Sequence, residues 1–207
     1  MPKKLTQLDA CDGLVRAARD FHQRGWMAGT AGNMSVRVDA DSFWLTASGK
    51  PKGLLENIDF VKMSIDGVLL DKLVEGNRPS AESSIHEVIY RLFPDAGACL
   101  HVHSVDAYLA TRRFATIAGK LLLPNIEMIK GFDVWEQEPD IELDVFDNFL
   151  DVARISENIE QKFCEQSPTI SALMIKDHGI TVWGSDLQQA YNRVEILEFI
   201  MSFMARQ

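Results

Sequence analysis

The chain contains no apolar run long enough to cross a bilayer, which excludes a membrane-spanning helix. It has only three cysteines in 207 residues, Cys11, Cys99 and Cys164. Their odd number and wide spacing fit neither a disulfide framework nor a cysteine zinc motif. Cys99 sits inside an apolar run and reads as a small hydrophobe. A reducing, cytoplasmic compartment is therefore expected, and Met1-Pro2-Lys3-Lys4-Leu5-Thr6 lacks the apolar stretch of a signal peptide. Positive charge is scarce: 21 Lys and Arg stand against 30 Asp and Glu, a net charge of -9. No nucleic-acid partner is expected without a basic face, and no membrane partner either. An anionic small ligand remains open, because one site can be locally positive on an acidic protein. There is no internal repeat, low-complexity tract or linker, and no Gly-x4-Gly-Lys-Ser/Thr phosphate loop. With 46% apolar and 25% charged residues, residues 1–207 read as a single globular domain.

Histidine is also sparse, and its placement is informative. Three of the five histidines lie in two short motifs, His101-Val102-His103 and Asp177-His178-Gly179. Each motif ends an apolar, strand-like run, Ala96–Leu100 and Ala172–Ile175. On a strand, residues two apart project to the same side. Neutral imidazole is a common ligand for divalent metals, and catalytic zinc takes three protein ligands and keeps an open position. Spacing alone is equally compatible with two ordinary packed histidines.

The apolar periodicity predicts a helix from about Gln7 to Arg24, opened by a capping box at Thr6–Asp9 and stopped by Gly25. Short strands follow at Met34–Val38, Phe43–Ala47 and Phe60–Ser64, with a turn at Asp66-Gly67. A helix capped by Ser80 runs to about Leu92, and another spans Val105–Phe114. Leu121–Ile129 reads as strand and Asp144–Glu165 as helix. Ile170–Ile175 and Ile180–Trp183 read as strands, and Leu187–Phe203 as the last helix. Alternating strands and helices indicate a layered α/β fold. The many tight turns in residues 33–70 indicate antiparallel pairing there.

Two loops suit an oxyanion, Gly29-Thr30-Ala31-Gly32-Asn33 and Thr46–Gly53, the latter carrying Ser48, Gly49, Lys50 and Lys52. Glycine lets backbone N–H groups approach a ligand, and lysine adds charge. The helix start at Ser80-Ala81 offers further N–H groups. Each loop taken alone reads as a plain hairpin connection sooner than as an anion cradle.

These segments occur together in one order: Gly29–Ser35, Thr46-Ala47-Ser48-Gly49, Arg78-Pro79-Ser80-Ala81-Glu82, His101-Val102-His103-Ser104 and Asp177-His178-Gly179. On that set the chain resembles the class II aldolase/adducin family over nearly its whole length. Within the family, Ile126-Glu127-Met128-Ile129-Lys130-Gly131 is similar to a branch that dehydrates a 1-phosphorylated, methylthio-substituted 2-ketose in methionine salvage. The resemblance implies a three-layer α/β/α sandwich around a mainly antiparallel sheet. It implies a homotetramer with active sites near subunit interfaces. It implies one Zn²⁺ per subunit on His101, His103 and His178, and substrate phosphate near Asn33, Ser48, Gly49, Ser80 and Lys50. Ala81 stands where many aldolases carry a second serine, which removes one side-chain contact.

Two carboxylates compete for the acid/base role. The aldolase pattern points to Glu82 and the dehydratase pattern to Glu127. Glu127 is the expected general acid/base, with Glu82 a nearby polar residue. From the residues alone, Glu82 is a first-turn helix acid and Glu127 an exposed edge residue. His86, four residues after Glu82, is expected as a packed helix histidine, not a ligand. The alternatives are a sugar-phosphate aldolase or pentulose-phosphate 4-epimerase, which share the enediolate, and a metal-free adducin-like interaction module.

Overall fold

The computed structural model describes residues 7–207, with side chains from Ala10 onward. Its strands are β1 (Asn33–Arg37), β2 (Ser42–Thr46), β3 (Phe60–Ser64), β4 (Leu69–Lys72), β5 (Ala98–Val102), β6 (Lys120–Leu122), β7 (Glu142–Phe146), β8 (Ala172–Ile175) and β9 (Gly179–Gly184). Its helices are α1 (Gln7–Gln23), α2 (Ser83–Leu92), α3 (Val105–Phe114), α4 (Val152–Glu165) and α5 (Leu187–Ala205). None of these helices is long and apolar enough to cross a membrane.

The strands form one sheet in the order β4-β3-β2-β1-β5-β9-β8-β7-β6. Every neighbouring pair is antiparallel except β7–β8. That exception follows from connection length, since α4 supplies the crossover that a parallel pair requires. Two cores flank the sheet. Leu14 and Phe21 of α1, Ala107 of α3, and Val194 and Leu197 of α5 pack on one face. Ile85 and Ile89 of α2, and Ile155, Ile159 and Phe163 of α4, pack on the other. The result is the expected three-layer α/β/α sandwich with a mainly antiparallel sheet.

The period-two rule decides which residues meet the site. Ala98, Leu100 and Val102 of β5 enter the first core, and Cys99 enters the second. His101 shares the Cys99 face, the one covered by α2. On neighbouring β1, Met34 and Val36 point into the first core, so Asn33 and Ser35 face α2.

Three expectations need correction. The strand over Leu121–Ile129 is short: β6 ends at Leu122, and Glu127–Phe132 forms a 3₁₀ segment. Pro124 cannot donate to a ladder and breaks the run. The helix over Asp144–Glu165 is two elements, because Val145 and Phe149 mimic helical spacing across a strand-to-helix junction. The helix proper starts after Asp151, whose carboxylate accepts from the Ala153 N–H at 3.1 Å. Ser80 does not cap α2 directly; its hydroxyl accepts from the Glu82 N–H at 3.2 Å, in the turn before the helix. The capping box at Thr6–Asp9 lies outside the described residues and side chains.

Leu173 of β8 is completely buried against the α2 and α4 layer. Leu173→Ala should cost about 2–5 kcal/mol of stability through lost contacts and a cavity. Urea denaturation followed by circular dichroism measures this, and a midpoint equal to the parent's would contradict the packing.

Candidate metal centre

His101 and His103 reach one side of β5 as the alternation requires. His103 follows the strand end, where its N–H donates to the Trp26 carbonyl at 2.8 Å. His178 comes from the tight β8–β9 turn. There Asp177 adopts a left-handed φ of 52° and is tied to Arg112 of α3 at 2.5 Å. Gly179 is required beside it: a Cβ would lie 2.1 Å from the Val102 carbonyl and 3.1 Å from the His103 ring. The three imidazoles pack edge-on, with centroids 4.7 to 5.0 Å apart.

Glu82 completes the group from the start of α2. One carboxylate oxygen accepts from His178 Nε2 at 2.7 Å. The other lies 3.7 Å from His101 Nε2 and accepts a hydrogen bond from the Asn33 amide. The four residues each offer one ligand atom, and these atoms lie within 4.8 Å of one another. Among the described residues no other group of His, Cys, Asp and Glu does so.

The donor set fits a divalent cation. His101 Nδ1–H donates to the Ile180 carbonyl at 2.9 Å, with Thr181 Oγ1 at 3.0 Å. That leaves the Nε2 lone pair aimed into the cluster, the arrangement metal-ligating histidines adopt. His103 Nε2 is 2.9 Å from His101 Nε2, and the Tyr108 hydroxyl stands 3.4 Å from His103 Nδ1. Burial pushes His101 down to about 4 and His103 to about 3. Both rings are therefore neutral at neutral pH. Burial works against charge on Glu82, yet His101 and His178 beside it hold its carboxyl well below the usual carboxylate range.

A cavity of about 260 Å³ opens at this cluster. Gly32, Asn33, Ser48, Gly49, Lys52, Ser80, Glu82 and His103 all line it. Four of the five residues expected around the phosphate are thus together, and Lys50 is not. Lys50 Nζ pairs with Asp59 at 2.7 Å, turned away from the cavity. The cation present is Lys52, only 2% exposed, whose Nζ donates to the Thr30 and Lys50 carbonyls at 2.9 and 3.0 Å. Burial pushes Lys52 down to about 8, with Glu82 and Asp59 opposing. The alternation of Lys-Pro-Lys through the 3₁₀ turn at Lys52–Leu54 hid this choice. Asn33 lines the cavity, but its side-chain amide is already engaged by Glu82 and His86.

Glu127 belongs to neither the cluster nor the cavity lining. It opens the 3₁₀ segment, whose Ile129 and Phe132 are buried, and pairs with Lys130 at 2.9 Å, its own side chain 82% exposed. His86 is buried and hydrogen-bonded as expected. A larger cavity, about 1080 Å³, lies beyond Asp177 and includes none of the four cluster residues.

The chain matches the family model for the class II aldolase and adducin N-terminal domain over residues 12–204. It is 51% identical to a methylthioribulose-1-phosphate dehydratase of Microcystis aeruginosa over 191 residues, covering 92% of each chain. It is 42% identical to a protein of the same name from Leptospira biflexa over 200 residues, covering 94% of this chain and 95% of that one. The fold is similar to that of l-fuculose-1-phosphate aldolase from Thermus thermophilus, with TM-score 0.75, 20% identity, and 96% and 95% of the two chains covered.

Because a charged hydrogen bond contributes about 1.5–3 kcal/mol, Lys52→Met should weaken phosphate binding about tenfold to a hundredfold. In the parent protein, affinity for inorganic phosphate should fall as pH rises through about 8, where the ammonium is lost. Phosphate bound beside Lys52 raises its proton affinity, so binding just above that pH should take up a proton. Calorimetric titration in buffers of different ionisation enthalpy reads both effects. Unchanged affinity in Lys52→Met would remove Lys52 from the site.

Proposed function

The chain belongs to the class II aldolase and adducin family, and on that premise we propose that it dehydrates 5-methylthioribulose 1-phosphate to 2,3-diketo-5-methylthiopentyl 1-phosphate in methionine salvage. The observation that carries the chemistry is the Glu82–His101–His103–His178 cluster, whose Glu82 and His103 line a cavity that Lys52 also lines. Similarity to named dehydratases over more than nine-tenths of the chain supports the substrate.

In this reading His101, His103 and His178 hold one Zn²⁺ per subunit. When bound, the metal acts as a Lewis acid that polarises the C2 carbonyl and acidifies the C3 proton. Lys52, Ser48, Gly49 and Ser80 fix the phosphate end, and Asn33 holds Glu82. Glu82 takes the proton from C3, and the C–H electron pair moves toward the C2 oxygen. The pair then returns to expel the C4 hydroxyl, which leaves as water with the proton Glu82 acquired. The remaining enol gains a proton at C4 and loses one from its C3 hydroxyl, giving the diketone.

Glu127 enters this scheme only if its exposed carboxylate is brought to a cluster. The homotetramer expected from the resemblance, with sites near subunit interfaces, would provide that opportunity. Within one protomer, Glu82 is the better-placed base. An aldolase would instead cleave C3–C4, beginning with deprotonation of the C4 hydroxyl. The compartment expected for this enzyme is the cytoplasm.

Metal-loaded protein supplied with 5-methylthioribulose 1-phosphate should form a diketone, read by absorbance and mass loss of one water. An aldehyde product would instead establish the aldolase reading. Glu82→Gln should lower turnover by about 10²–10⁴-fold, the usual contribution of a general base, while retaining zinc. A larger loss in Glu127→Gln would transfer the role to that residue. His101→Ala should lose metal, measured by elemental analysis, with its circular dichroism preserved.

A further inference from the structure

A row of five polar side chains runs from the cluster into the second core, and it is assembled by two periodicities. Glu82, His86 and Tyr90 recur every four residues at and along α2, which places them on one helix face. Asn33 and Ser35 lie two apart on β1, which places them on one strand face. The two sets interleave as Glu82, Asn33, His86, Ser35 and Tyr90. The Asn33 amide meets Glu82, and its carbonyl oxygen meets His86 Nε2. His86 Nδ1 lies 2.7 Å from Ser35 Oγ, and Ser35 Oγ lies 2.8 Å from the Tyr90 hydroxyl. Asn33, Ser35, His86 and Tyr90 are at most 2% exposed.

The direction of every bond in this row follows from its end. An ionised Glu82 only accepts, so Asn33 presents its NH₂ to Glu82 and its oxygen to His86. That oxygen requires a proton on His86 Nε2. Burial lowers His86 to about 4, so a neutral ring leaves Nδ1 as an acceptor. The Ser35 hydroxyl then donates to Nδ1 and accepts from Tyr90, whose phenol burial keeps protonated. All four bonds donate toward Glu82, and aligned bonds polarise one another.

We infer that His86, held as its Nε2–H tautomer between Ser35 and Asn33, is the positioning residue that aims the Glu82 carboxylate at the histidine cluster. It makes no hydrogen bond to the cluster residues, does not line the cavity, and acts through Asn33. The role builds on the proposed function, since it matters to turnover only if Glu82 is the base. The tautomer itself is independent of that reading.

The test begins with zinc-loaded protein labelled with ¹⁵N histidine. Long-range proton–nitrogen correlation should show His86 protonated at Nε2 and bare at Nδ1 at neutral pH. A proton on Nδ1, or on both nitrogens, overturns the inference. Two variants then separate positioning from packing. His86→Gln keeps an N–H donor at the Nε2 location, and His86→Leu removes it. His86→Leu should lower kcat by roughly tenfold to a hundredfold, as loss of a supporting hydrogen bond does, with KM and zinc content unchanged. His86→Gln should recover most of that loss. Equal losses in both variants, or loss only through metal content, overturn the role. Failure of the parent protein to dehydrate the ketose would sink the proposed function while leaving the tautomer signal to be read on its own.

Discussion

Three imidazoles and a carboxylate crowded into one buried cluster are the constraint around which this fold is arranged. Such groups lose hydration, and burial alone drives both histidine protonation and carboxylate ionisation in the unfavourable direction. Neighbouring groups hold two of them, His101 through the Ile180 carbonyl and Glu82 through Asn33, while an Arg112–Asp177 pair fixes the turn that carries His178. The central strand pairs β1–β5 and β5–β9 exist in a register that sets Asn33 opposite His101 and His101 opposite Thr181. A shift of one residue would turn His101 into the first core and Leu100 into the site. Glycine at 32 and 179 permits the backbone approach this register needs, since a Cβ at either would meet a carbonyl of the β5 segment.

Much of this was legible in the sequence, and the reasons differ by residue. His101 and His103 were readable because strand alternation is geometric and leaves one possible side. The β3 strand, the Asp66-Gly67 turn and α3 were readable because local propensity and tertiary packing agree there. The β7–α4 junction was not, since Val145 and Phe149 satisfy helical spacing by coincidence across two elements. Lys50 and Lys52 could not be ranked, because the difference lies in distant partners: Asp59 takes Lys50, and the Thr30 and Lys50 carbonyls hold Lys52. The interleaving of α2 with β1 was also hidden: each half has a plain period, but nothing local states that they face each other.

The two carboxylates illustrate the same division between local pattern and packing. Glu127 carries a motif-level resemblance and is itself exposed at the start of a 3₁₀ segment. Glu82 follows an unremarkable Pro-Ser-Ala turn and sits against three imidazoles. Proton transfer depends on contact between groups, so the packed residue has the stronger physical claim within a protomer. A metal held by this cluster would suit either elimination or carbon–carbon cleavage, because both need an acidified carbon framework and one mobile proton. What would separate them, in the proposed scheme, is the substrate atom that Glu82 faces.

Lys52 has a cost that reaches beyond recognition. Its ammonium is surrounded by carbonyls inside a cavity and titrates near 8, below the ordinary lysine value. A lysine depressed in the folded state opposes folding at pH values below about 8, and the opposition fades as pH rises toward the unfolded value. The fold thus carries an electrostatic load at Lys52, which an anion placed in the cavity would relieve. A phosphate ligand bound there would link binding to folding at one nitrogen atom, so the folded fraction would rise with ligand concentration.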